Sequence, residues 1–131
     1  MKIKVGVIFG GKSVEHEVSI ISGLQAINNM DTEKYDIIPI YLSKENKMYV
    51  GDMVKEVKNF TNINNVIQNS QRVIMINNEG KVDLIKYPGK KFGNNLVDSL
   101  DVVFPVVHGT NVEDGSLQGY LKTLDIPFVR M

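Results

Sequence analysis

The sequence predicts a small α/β domain built on a parallel sheet. Three observations carry that expectation. An apolar strand pattern at residues 2–9 gives way to a helical pattern over 16–30 and then to a second strand pattern at 35–43. Near the other end, the apolar run 102–107 is followed by a polar loop and a second amphipathic stretch. The chain has 131 residues, 43% hydrophobic and 23% charged, which suits one globular domain with a proper core.

The elements follow in order. Ile3, Val5, Val7 and Phe9 alternate with Ile8 thickening the run, the signature of a mostly buried strand. Gly10-Gly11-Lys12-Ser13 breaks it. Over 16–30, Ile20, Leu24 and Ile27 share one stripe with Ile21 beside it, and Ser13 stands where a cap belongs. His16 occupies the place a capping box gives to Glu or Gln, so that box is incomplete. In the second strand Pro39 suits a position that needs no ladder hydrogen bond.

The middle of the chain is less regular. A short strand is expected at 47–50 with Gly51-Asp52 as its turn, and a short helix over 62–69. Residues 72–76 and 81–87 flank Asn77-Asn78-Glu79-Gly80 and read as a hairpin ended by Pro88-Gly89. Beyond the strand at 102–107 come a polar loop at 108–114 and a helix in which Leu117, Tyr120, Leu121 and Leu124 fall at i, i+3, i+4 and i+7. Asp114 is placed to cap that helix, and Ile126 to Val129 opens a further strand.

Composition excludes several function classes. With 15 Lys and Arg against 15 Asp and Glu, no whole-molecule field attracts nucleic acid or an anionic membrane. The absence of Cys removes disulfides, thiolate nucleophiles and Cys-based metal sites. The longest uncharged stretches, 18–30 and 59–71, are too short and too polar to span a bilayer. Met1 runs straight into a strand pattern with no signal peptide, so a cytoplasmic protein is expected.

Two segments carry chemistry. Gly6 to Ser13 matches the P-loop spacing formally. A P-loop, however, needs flexible backbone after its first glycine to wrap phosphates, and Val7, Ile8 and Phe9 are strand-like. The same residues make a tight strand-to-helix turn in which Gly10 and Gly11 either merely turn the chain or let backbone approach a ligand. Glu15-His16-Glu17 opens the helix. There the carboxylates either complement the dipole or serve a ligand. Consecutive positions scatter around a helix, so no metal site is expected at His16. The second segment, His108-Gly109-Thr110-Asn111-Val112-Glu113-Asp114-Gly115, also follows a strand and precedes a helix. In a parallel sheet the loops at carboxyl strand ends form the ligand crevice, so the two segments are expected to converge.

Phe9 to Ser19, with Gly10-Gly11-Lys12-Ser13-Val14-Glu15-His16-Glu17-Val18, resembles the N-terminal signature of the D-alanine–D-alanine ligases. His108 to Gly119 is similar to the second signature of that family, except that Val112 stands where Gly is usual. The resemblance covers essentially the whole chain. It implies a small three-layer Rossmann-like (pre-ATP-grasp) domain with a mainly parallel sheet and an inserted hairpin. It also implies that residues 1–131 are the N-terminal, first-substrate domain, with the ATP-grasp domains outside this chain.

The activity implied is the ATP-dependent joining of two D-alanines through a D-alanyl phosphate, for peptidoglycan precursors. Glu15 would anchor the ammonium of the first D-alanine as the catalytic residue. Val18 and His108 would lie at that subsite, and Gly10 and Gly11 would let the loop approach it. ATP and magnesium would be bound mainly outside this chain, which would be silent alone and would form homodimers. Relatives that make D-alanyl-D-lactate or D-alanyl-D-serine share the pattern. A free-standing, non-catalytic binding or assembly module is the rival reading.

Overall fold

The structure is a computed structural model that describes residues 1–11, 16–107, 121–122 and 124–128. Strand β1 (Ile3–Gly10) leads into helix α1 (His16–Asn29), which returns the chain to β2 (Tyr35–Leu42). Strand β3 (Met48–Val50) is followed by two 3-10 turns, Asp52–Lys55 and Val57–Thr61, and by the short helix α2 (Ile63–Gln68). Then come β4 (Gln71–Asn78), β5 (Lys81–Lys86), β6 (Leu96–Leu100) and β7 (Val102–Val107).

The seven strands form one sheet in the order β6-β5-β4-β3-β2-β1-β7. β1 runs parallel to both β2 and β7, with helix α1 making the crossover from β1 to β2. Every other neighbouring pair is antiparallel. The α/β class stands, and the expectation of a mainly parallel sheet narrows to the β2-β1-β7 part. The connections at 43–47 and 79–80 are too short for crossovers, and such short connections make antiparallel pairs.

Strand alternation divides the core. Val5, Val7 and Phe9 face α1, whose Ile20 and Leu24 are buried against the sheet. Ile8 faces the other way, into a cluster with Ile40, Leu42, Met75, Leu84, Leu100 and Val103. Leu121 and Ile126 pack into that second cluster. Leu121 and Lys122 are helical as expected, while residues 117–120 and 123 lie outside the described residues. Phe128 forms a parallel bridge to Val103 where a further strand was expected. Helix α1 approaches β1 so closely that a Cβ on Gly23 would meet the Phe9 Cβ at 2.3 Å. Ile21, placed beside the core stripe in the sequence reading, is exposed.

The sheet is strongly curled. β6 and β7 lie at opposite ends of the strand order, yet only Asp101 separates them in the chain. Asp101 joins the two ends through side-chain and backbone contacts. Its carboxylate accepts the Lys4 N–H at 2.8 Å and pairs with Lys81, and its N–H donates to the Lys4 carbonyl at 2.9 Å. Lys4 also pairs with Asp98 of β6 at 2.6 Å.

Details of the middle segment differ from expectation. The β4–β5 ladder continues to Asn78↔Lys81, so the turn is Glu79-Gly80 alone, both with positive φ as a two-residue hairpin requires. Strand β6 was not expected at all, because Asp98 and Ser99 are poor strand formers. Pairing with β5 and side-chain hydrogen bonds hold it: Ser99 Oγ donates to Asp83 at 2.8 Å. Pro39 sits beyond the β2–β3 ladder, which covers only Tyr41 and Leu42, so among the described residues that side of β2 has no partner strand there.

Candidate functional site

Leu42, Gly10 and Val107 are in register across β2, β1 and β7, so three parallel strands end side by side. The segment beginning at Gly11 and the segment beginning at His108 therefore leave the same edge of the sheet from neighbouring strands. That is the crevice position of an α/β sheet.

The P-loop spacing is accidental. Gly6 to Gly10 all belong to β1, and Val7, Ile8 and Phe9 are fully buried. Gly6 serves packing instead: a Cβ there would meet Leu100 Cδ1 at 2.5 Å and Ile40 Cδ1 at 2.9 Å.

Gly10 and Gly11 both have φ of 99°, in the region that favours glycine. The Gly11 N–H donates to the Leu42 carbonyl at 2.8 Å, which pins the turn to the end of β2.

The first turn of α1 holds the strand ends from beneath. The Gly10 N–H donates to Ser19 Oγ at 2.9 Å, and the Ser19 hydroxyl donates to the Val106 carbonyl at 3.0 Å. His16 is 1% exposed, with Nδ1 2.5 Å from the Gly11 carbonyl oxygen and Nε2 2.7 Å from the Tyr41 hydroxyl. A carbonyl only accepts, so Nδ1 carries the proton, and in the neutral ring Nε2 accepts from Tyr41. Burial pushes the Tyr41 phenol up from its ordinary 10.0 to about 12, with Glu45 adding to the effect, so the hydroxyl stays a donor. The Tyr41 ring packs against Phe60 and Phe9 at centroid distances of 4.9 and 6.0 Å.

Of the residues singled out in the sequence, Gly10 and Gly11 lie at this edge, and Val18 is an exposed residue of α1. Glu15, His108, Val112 and Asp114 lie outside the described residues. His16, Ser19 and Tyr41 were missed as a group. A signal existed: His16, Ser19 and Gly23 fall on the same buried stripe as Ile20 and Leu24. Polar or small residues on an otherwise apolar stripe point to a buried hydrogen-bonded contact or a close approach. Among the described residues no group of three or more His, Cys, Asp or Glu converges. No helix among them is long and apolar enough to cross a membrane.

Comparisons with known proteins agree with this geometry. Residues 4–130 match the family described as D-ala D-ala ligase N-terminus. A D-alanine–D-alanine ligase of Caldicellulosiruptor bescii is 41% identical over 130 residues, covering 98% of this chain and 33% of the relative. One from Thermosipho melanesiensis is 34% identical over 126 residues, covering 96% and 33%. This chain thus spans about a third of the length of the curated relatives it matches. Among solved structures, the VanG D-Ala:D-Ser ligase from Enterococcus faecalis superposes with a TM-score of 0.71 at 32% identity, covering 98% of this chain and 36% of that one. The D-alanine-D-alanine ligase from Coxiella burnetii gives 0.72 at 30% identity, covering 98% and 35%. In sequence over residues 4–130 and in backbone path, this chain belongs to the D-alanine–D-alanine ligase N-terminus family.

Proposed function

We propose that this chain is the first-substrate domain of a D-alanine–D-alanine ligase. The family match over residues 4–130 carries the reading. The geometry supports it: the turn at Gly10-Gly11 and the start of the His108 segment sit on adjacent strand ends, where a small substrate can be held between two loops.

In this reading Glu15 holds the ammonium of the first D-alanine, and Val18 and His108 line the same subsite. Fixing the ammonium leaves the carboxyl group free and correctly placed to react, which is catalysis by positioning. The carboxylate would take the terminal phosphoryl group of ATP to give D-alanyl phosphate and ADP, and the amine of the second D-alanine would attack the acyl carbon and expel phosphate, yielding the dipeptide for cell-wall precursors. ATP and magnesium would bind in the portion of the ligase that this chain does not span. The whole ligase is cytoplasmic and dimeric, with this domain at the contact.

The D-Ala:D-Ser relative favours one extension. Its name begins with the same first D-alanine, so the choice of second substrate rests outside this domain. A free-standing binding module is the remaining alternative, and it predicts a native product no longer than this chain.

The decisive experiment is Glu15→Gln in the full-length ligase. Dipeptide synthesis is expected to fall by orders of magnitude, on the scale known for lost substrate-positioning groups, while cooperative unfolding is retained. Full activity in that variant would remove Glu15 from the site. Sedimentation of the purified ligase tests the dimer, and a monomer at all concentrations would reject it.

A further inference from the structure

We propose that His16 and Ser19 form a positioning clasp that sets the first-substrate crevice, with Tyr41 as its anchor on the sheet. The inference rests on the reading of the crevice just given. Three observations carry it. One helical turn apart on α1, the two side chains reach three different strand ends: Ser19 links Gly10 of β1 to Val106 of β7, and His16 links the Gly11 carbonyl to Tyr41 of β2. All three side chains are buried, between 0% and 1% exposed, so water does not compete for their hydrogen bonds. The three backbone groups they hold directly, at Gly10, Gly11 and Val106, flank the places where the two candidate substrate loops depart.

Neighbouring strands are already tied by ladder hydrogen bonds, so a further bridge adds little to pairing itself. What it adds is direction. Beyond Gly10 the backbone turns out of the ladder at positive φ, and its path is set by the groups that capture its N–H and carbonyl. The His16 contact captures the Gly11 carbonyl, and the Ser19 contact captures the Gly10 N–H. Glu15 directly precedes His16 in the chain, so the clasp acts on the residue adjoining the one proposed to hold the ammonium. Neither His16 nor Ser19 touches substrate in this reading. They act through the loop that does.

Two measurements test this. The first uses the 131-residue chain, which holds two histidines. Nitrogen-15 NMR of the imidazoles is expected to show the neutral His16 ring protonated at Nδ1, the His16→Gln variant identifying its signals by their loss. A ring protonated at Nε2 overturns the clasp without any variant having to fold.

The second uses the full-length ligase. Ser19→Ala and Tyr41→Phe are each expected to raise KM for the first D-alanine by about tenfold, the scale of one buried hydrogen bond, with KM for the second substrate unchanged. The phenylalanine keeps the ring packed against Phe60, so the fold is retained. Unchanged KM for the first D-alanine in both variants, or an equal rise for both substrates, rejects the clasp. If Glu15→Gln remains fully active, the substrate reading itself fails. The NMR result still decides the His16 geometry in that case.

Discussion

Gly10 and Leu42 are ladder partners at the ends of β1 and β2, and a Cβ on Gly10 would lie 2.4 Å from the Leu42 carbonyl oxygen. The same carbonyl accepts the Gly11 N–H. Close approach and a φ of 99° therefore coincide at the residue from which the first candidate loop departs. Gly10→Ala is expected to cost at least about 2 kcal/mol, from left-handed strain and overpacking together. Denaturant unfolding measures it. A midpoint equal to that of the parent chain would mean that the turn readily adopts another path.

Tyr41 makes stability fall at alkaline pH. Its folded pKa of about 12 lies above the ordinary 10.0, because burial disfavours the phenolate. Between these values the unfolded chain has lost the proton while the folded chain keeps it. The stabilisation is thus complete below about pH 10 and disappears as pH rises through about 12. Thermal unfolding across this range should show a declining midpoint, and Tyr41→Phe should flatten the decline. An equally steep decline in the variant would assign it to other groups.

Asp101 works at the opposite end of the pH scale. The hydrogen bond from Lys81, and then the Lys4 N–H, hold its carboxyl below the usual 3.8. A depressed folded value gives stability that is present above the unfolded value and lost as pH falls through the folded one. Acid unfolding of Asp101→Asn should begin from a lower stability and show a shallower acid arm. Superimposable acid curves would mean that the two curled sheet ends meet without help from this carboxylate.

Much of the architecture was legible in the sequence because it depends on short-range patterns. The alternation of Val5, Val7 and Phe9 and the spacing of Ile20 and Leu24 specify a strand and a helix face wherever the chain goes. The turn at Gly10-Gly11 was legible for the same reason: two adjacent glycines between such elements interrupt both patterns. β6 was not legible, since Asp98 and Ser99 suit a strand only once Lys4 and Asp83 are beside them.

By itself, the sequence determined the strand-helix-strand frame, the two motif-bearing segments and the family they resemble. Only the tertiary structure decided that the sheet is mixed and curled, that Asp101 joins its ends, and that His16, Ser19 and Tyr41 meet beneath the crevice. The physical reason is sequence separation. Ser19 and Val106 are 87 residues apart and His16 and Tyr41 are 25 apart. A hydrogen bond over such distances leaves no local periodicity. It exists because packing brings buried polar groups together, where each must find a partner.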